Sequence, residues 1–300
     1  MLKLCFAYNT GKRWRKVNCE YTYIHTNSIT LHTVMAGPKE GPLVILLHGF
    51  PEFWYGWRFQ IEALAKAGYR VVVPDQRGYN LSEKPQKIES YTIDILRDDI
   101  LGLLSSLQRK KAIFIGHDWG GLVAWHIATT DPLCVEKLII LNSPQPHVMV
   151  KVVSYLPIQW YKSFYLLLFQ PPFLPEWAFR NQHFQLFETI MEKTSRNGTF
   201  TTDDFAVYKT AWSQKQALTT MVHWYRAMRK GTIKQVKERA ITVPVRIIWG
   251  KDDVFLSLSL AKKSIEHCVD CKLVLVDATH WVHLEQPQLV NKFLLEFIAE

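Results

Sequence analysis

Short apolar runs recur along the chain, each followed by a stretch with helical spacing, and this alternation leaves few folds open. Leu43–Leu47 is wholly apolar, as a strand buried on both faces must be. Tyr69–Val73 (stopped by Pro74), Ala112–Ile115 and Val135–Leu141 repeat the pattern, and Ile29–Met35 alternates like a half-buried strand. Helices are expected from about Phe53 to Ala67, Tyr91 to Leu107 and Gly120 to Thr129. Such alternation specifies an α/β fold, a mostly parallel sheet with helices on both faces. The pattern stops at Pro144. From there to about Arg239 the sequence is aromatic and helix-like, punctuated by Pro157, Pro171, Pro172 and Pro175. Strands return at Val245–Trp249 and Lys272–Val276, and a last helix runs from about Pro287. The expected architecture is one core, residues 1–143 and 240–300, with a helical cap, 144–239, inserted between two core strands. An insertion there sits over the C-terminal strand ends, where such sheets bind ligands.

Ile113–Gly121 reads I-F-I-G-H-D-W-G-G: a strand, a glycine-flanked turn and a helix. This is the context of a nucleophile elbow, normally G-x-S-x-G, with Asp118 at the serine place. Taken alone, Asp118 is equally well read as a helix N-cap. Chain order argues for chemistry. Gly250-Lys251-Asp252-Asp253 follows one later strand and Asp277-Ala278-Thr279-His280 follows another. Nucleophile, acid and histidine thus occur in the order this arrangement requires, each after a strand. Asp252 and Asp253 both fit the acid. His280 is preferred to His283 because it follows its strand directly, whereas His283 is expected to begin the last helix. His48-Gly49-Phe50-Pro51 follows the strand Leu43–Leu47, so the N–H groups of Phe50 and Trp119 are candidates for an oxyanion hole.

Composition narrows the class. Of 300 residues, 48% are hydrophobic and 21% charged, which supports a packed core. The net charge is +9, but the basic residues are scattered, so no nucleic-acid partner is expected. One cluster, Lys12, Arg13, Arg15 and Lys16, reads as a solvated leader or as a segment lying on a membrane surface. The apolar stretch Trp160–Phe173 adds to the membrane reading, although burial against the core explains it equally. No apolar run is long enough to span a bilayer. Five scattered cysteines suit a reducing, intracellular compartment: the cytosol or the surface of the endoplasmic reticulum. Cys268-x-x-Cys271 lacks a second pair for zinc and is read as structural.

The stretches His48–Trp57 (H-G-F-P-E-F-W-Y-G-W), Asp75–Tyr79 (D-Q-R-G-Y), Gly116–Gly121, Leu141–Pro144 (L-N-S-P) and Trp224–Arg226 (W-Y-R) resemble the epoxide hydrolases of the α/β-hydrolase fold. The resemblance runs from about Tyr23 onward. Leu168-Phe169-Gln170-Pro171-Pro172 and the basic leader point to the animal epoxide hydrolase 3/4 branch. The resemblance implies Asp253 as the acid and two lid tyrosines, Tyr225 and Tyr165, as proton donors, with Tyr161 competing for the second place. It also implies substrate contacts from His48, Pro51, Trp54 and Trp224. Asn80 departs from the family's glycine, but asparagine tolerates a left-handed turn.

A carboxylate suits an epoxide. Its attack leaves an ester that water can cleave, whereas a serine would leave an ether. The alkoxide that forms needs a donor, and tyrosine remains protonated at neutral pH. His280, oriented by Asp253, would then activate water against the ester. Neither a metal nor an organic cofactor is required. The expected activity is conversion of a lipophilic epoxide, such as a fatty-acid epoxide, to a vicinal diol. The alternatives are a haloalkane-type dehalogenase, which shares the Asp–His–acid core, and a non-catalytic small-molecule-binding protein. The paired tyrosines argue against the first and the complete triad against the second.

Overall fold

The computed structural model describes residues 18–153, 159, 162, 165–229 and 240–300. Lys12 to Lys16, Trp160 and Tyr161 lie outside them, and of Tyr165 only the backbone is described. Eight strands, β1 (Glu20–Thr26), β2 (Ile29–Ala36), β3 (Leu43–Leu47), β4 (Arg70–Pro74), β5 (Ala112–His117), β6 (Val135–Leu141), β7 (Val245–Gly250) and β8 (Cys271–Val276), form one sheet in the order β1-β2-β4-β3-β5-β6-β7-β8. β2 runs antiparallel to β1 and β4, and the other neighbours are parallel.

The apolar runs have a direct cause. Side chains alternate across a strand. Ile45, Leu47, Phe114, Leu138, Ile140 and Ile247 face one layer, where Ile100 of α2 (Ile93–Ser106) and Trp125 of α3 (Asp118–Thr130) cover them. Val44, Leu46, Ile113, Ile115, Ile139 and Ile248 face the other, covered by Leu64 of α1 (Arg58–Lys66) and Leu294 of the C-terminal helix Pro287–Ala299. Both faces are buried, so the central strands carry no polar alternation.

Between β6 and β7 every described helix or strand is helical: α4 (Pro146–Val153), α5 (Tyr165–Leu168), α6 (Leu174–Arg180), α7 (Gln185–Lys193), α8 (Thr202–Trp212) and α9 (Ala217–Arg229). Thr201 caps α8 reciprocally: its Oγ1 accepts the Asp204 N–H at 3.1 Å, and Asp204 Oδ2 accepts the Thr201 N–H at 2.9 Å. Asp204 also accepts the Tyr55 O–H at 2.8 Å and pairs with Arg58 at 3.2 Å, which pins the start of α8 to the core.

Three local expectations are corrected. The helix expected from Phe53 opens with a 3₁₀ turn, Trp54–Trp57, and α1 begins at Arg58, because Asp75 Oδ1 takes the Trp54 N–H at 3.0 Å and tightens the entry. The helix expected from Gly120 already starts at Asp118. Gly120 lies inside it, and the position requires glycine because a Cβ there would meet the Leu47 carbonyl oxygen at 2.1 Å. After α10 (Leu258–Ile265), His283 belongs to a separate short helix, α11 (Val282–Glu285), ahead of α12 (Pro287–Ala299), and it is fully buried. Asn80 does adopt a left-handed conformation, φ 39°. The described cysteines are free thiols, and Cys268 Sγ donates to the Ser264 carbonyl at 3.4 Å.

Candidate active site

The parallel strands deliver their C-terminal ends to one edge, and the candidate residues follow those ends. Asp118 directly follows β5 and opens α3 with φ 49°, a left-handed value rare outside glycine, asparagine and aspartate. The turn closes only with small neighbours: a Cβ on Gly116 would meet the Gly120 carbonyl oxygen at 2.5 Å. A Cβ on Gly49 would meet Asp118 Oδ1 at 2.5 Å. Ser143 Oγ donates to the Asp118 carbonyl at 2.7 Å, fixing the turn from the end of β6.

The Asp118 carboxylate is divided between two partners. Oδ1 accepts the Phe50 N–H at 2.9 Å, and Oδ2 stands 3.7 Å from His280 Nε2. His280 Nδ1 lies 2.8 Å from Asp253 Oδ2. Asp253 is buried and saturated: Asn142 Nδ2 donates to Oδ2 at 2.7 Å, and the N–H groups of Phe255 and Leu256 donate to Oδ1 at 2.7 and 2.9 Å. Burial alone would raise its pKa, but the facing imidazole and these donors hold it below the usual value. Burial would lower His280, yet the charge and hydrogen bond of Asp253, with the Asp118 charge behind them, push it up to about 9. The rival residues point elsewhere. Asp252 is half exposed and pairs with Arg196, and His283 faces Glu52.

Above Asp118 is a narrow cavity lined by Trp119, Leu122, Met149, Leu166, Tyr225 and Leu256. Tyr225 is buried on α9 with its ring edge-on to Phe50 and Trp119, both at 5.1 Å. Phe50 therefore offers its N–H to the carboxylate and its ring to the cap aromatics Phe169, Phe187 and Tyr225. A wider cleft of about 800 Å³ opens on the cap between Phe173, Trp177, His223 and Arg226, but it holds none of the candidate residues.

Among known proteins, residues 42–287 match the family described as alpha/beta hydrolase fold. The AB hydrolase superfamily protein YfhM of Bacillus subtilis is 51% identical over 94% of this chain and 98% of its own length. Human Epoxide hydrolase 4 is 36% identical over 93% of this chain and 78% of its own. A mutant of an epoxide hydrolase from Bacillus megaterium superposes with a TM-score of 0.85 at 30% identity, covering 93% of this chain and 100% of that one. The chain belongs to the epoxide hydrolases of the α/β-hydrolase fold. The Bacillus megaterium enzyme has also been crystallised with its diol product and with an inhibitor.

Within this epoxide hydrolase frame the other expected residues divide. Trp119 lines the cavity. Trp224 backs it, rings 5.5 Å apart, with its own N–H given to the Arg77 carbonyl at 3.0 Å. His48 is fully buried beneath the loop, its Nε2 taking the Gln76 N–H at 3.0 Å and its ring edge-on to Tyr79 at 4.7 Å. Pro51 follows a cis peptide, and its carbonyl accepts the Trp212 N–H at 2.7 Å. Trp54 packs against Tyr21 and Tyr55, away from the cavity. Tyr165 begins α5, and its side chain lies outside the described residues.

Sequence reasoning passed over Asn142 and Ser143, which steady Asp253 and Asp118, although both stand in the quoted L-N-S-P stretch. It also passed over Glu52, which with His117 and His283 places three ligand-type atoms within 4.8 Å of one another. Glu52 Oε1 already accepts the Tyr208 O–H at 3.0 Å and Oε2 faces His117 Nδ1 at 3.1 Å. These contacts make the cluster a hydrogen-bonded network rather than an open coordination site.

Proposed function

We propose that the chain hydrolyses epoxides to vicinal diols through an ester on Asp118. The carrying observation is the split carboxylate of a cavity-lining residue: one oxygen held by the Phe50 N–H, the other 3.7 Å from His280 Nε2. Asp118 Oδ2 attacks a ring carbon, the C–O bond of the epoxide breaks, and the alkoxide takes a proton from Tyr225, with Tyr165 as second donor. Water then attacks the Asp118 carboxyl carbon and gives a proton to His280 Nε2. The oxyanion rests on the Phe50 N–H, with the Trp119 N–H as the second donor. Collapse expels the diol, whose former Oδ2 takes the proton held by His280, and the proton left on the regenerated Asp118 carboxyl returns to the Tyr225 phenolate.

The electrostatics time the base. Part of what raises His280 is the negative charge on Asp118. Esterification removes that charge, so the imidazole sheds its proton more readily at the stage that requires a neutral base.

The single-turnover test is hydrolysis in ¹⁸O-water with mass spectrometry of the peptide bearing residue 118. Label is expected in Asp118 and not in the first diol. Label confined to the diol would mean direct attack by water. A haloalkane-type dehalogenase would instead release halide from alkyl halides, and a binding protein would turn over neither substrate.

The substrate reading is lipophilic, supported by the apolar cavity lining and by the exposed cap residues Leu167, Leu168, Phe173, Leu174 and Trp177. Among the described residues no helix is long and apolar enough to cross a membrane. The cap patch supports contact with a membrane surface. Co-sedimentation with anionic vesicles at low salt is expected, and its absence would remove that part of the reading.

A further inference from the structure

Beneath the candidate triad lies a buried titratable cluster that the two half-reactions do not use: Glu52, His117, His283 and Tyr208. Its bonding can be worked out from donor counting. His117 Nε2 faces the backbone carbonyl of His280 at 2.9 Å, and a carbonyl only accepts, so Nε2 donates. His117 Nδ1 faces Glu52 Oε2 at 3.1 Å. Burial would raise the Glu52 pKa, but the imidazoles of His283 and His117 hold it well below the usual carboxylate value. With Nδ1 on Glu52 Oε2 and Nε2 on the carbonyl, His117 bridges Glu52 to the peptide of His280. The remaining oxygen of Glu52 accepts the Tyr208 O–H at 3.0 Å from α8 of the cap. The space is shaped for this carboxylate: a Cβ on Gly56 would meet Glu52 Oε1 at 2.4 Å. His283, 3.3 Å from Oε2 on the other side, is kept neutral by burial, at about 4.

One carboxylate therefore ties the cap, the end of β5 just before Asp118, and the loop that bears His280. We propose that Glu52 is a positioning residue for ester hydrolysis, acting on the His280 loop through His117 and linking the seating of the cap to it through Tyr208. This rests on the roles proposed above for Asp118 and His280. Those roles give the proposal its signature, because His280 is required only after the ester has formed. Misplacing it slows the second half-reaction and spares the first.

The experiment uses the full chain with trans-stilbene oxide under single-turnover conditions, and follows ester formation and decay by quench and mass spectrometry of the residue-118 peptide. Glu52→Gln keeps the size and removes the charge. His117→Phe keeps a ring and removes both ring nitrogens. Tyr208→Phe removes only the cap hydroxyl. In Glu52→Gln and His117→Phe, ester decay is expected to fall tenfold or more while its formation stays within threefold, so that the ester accumulates. Tyr208→Phe is expected to shift the same step by a smaller factor, and it serves as the test should either core variant fail to fold. Equal slowing of both steps, or a lowered melting temperature with both rates unchanged, would overturn the proposal and leave Glu52 a purely structural residue. A wild-type chain that forms diol without any ester would overturn the covalent reading itself, an outcome distinguishable because it appears before any substitution is made.

Discussion

At the scale of single residues, two side chains should separate the proposed chemistry into halves. His280→Gln removes the base but leaves Asp118 on the Phe50 N–H. Alkylation is expected to persist while hydrolysis falls by 10² or more, and one equivalent of substrate should remain bound to the protein, read as a mass increase on the residue-118 peptide. Tyr225→Phe should do the reverse, slowing ester formation by about 10²-fold with little change in its decay, measured in the same single-turnover assay. Asp118 itself shows where sequence reading succeeds. Its flanking Gly116 and Gly120, and its position after an apolar run, announce a tight turn between strand and helix, and the φ of 49° at Asp118 is how that turn is made. Asp253 against Asp252 is the opposite case. Adjacent residues share every local signal, so the choice of Asp253 comes only from the family resemblance, and the tertiary partners, His280 for one and Arg196 for the other, give it a physical basis.

At the scale of elements, α8 is the helix on which cap and core meet. Its capping box and the contacts of Asp204 with Tyr55 and Arg58 set the position of Tyr208. Thr201→Ala should cost about 1 kcal/mol, the usual worth of an N-cap, measured by urea unfolding. The core elements were legible because periodicity reports burial on two faces directly. Their beginnings were less so: the 3₁₀ turn Trp54–Trp57 is dictated by Asp75, a residue on another strand's exit. The short helix around His283 was misread for the same reason. An imidazole buried against Glu52 looks, in one dimension, like a helix start.

At the scale of the whole molecule, two buried histidines pull stability in opposite directions with pH. His280, raised to about 9 from the ordinary 6.5, contributes stability that is present below about 6.5 and lost as pH rises through 9. His283, lowered to about 4, contributes stability that is present above about 6.5 and lost as pH falls toward 4. Glu52 and Asp253, both held below their usual values, deepen the loss on the acid side. Each histidine is worth on the order of 3 kcal/mol at full shift. The melting temperature should therefore peak near neutral pH and fall on both sides between pH 4.5 and 9.5. His283→Gln should flatten the acid limb, and an unchanged limb would remove His283 as its cause.

Phe50 has a consequence for how such an enzyme acquires new substrates. Its amide hydrogen serves the Asp118 carboxylate while its ring is packed among Phe169, Phe187 and Tyr225 of the cap. A substitution that reshapes the cap to admit a bulkier guest moves that ring, and the ring belongs to the same residue as the donor at the nucleophile. Selection for a wider specificity is thus filtered through rate. Variants that enlarge the chamber from the side of α4 and α5, at Met149 or Leu166, leave Phe50 in place and are the accessible route to new substrates, whereas those that disturb the aromatic cluster trade turnover for breadth.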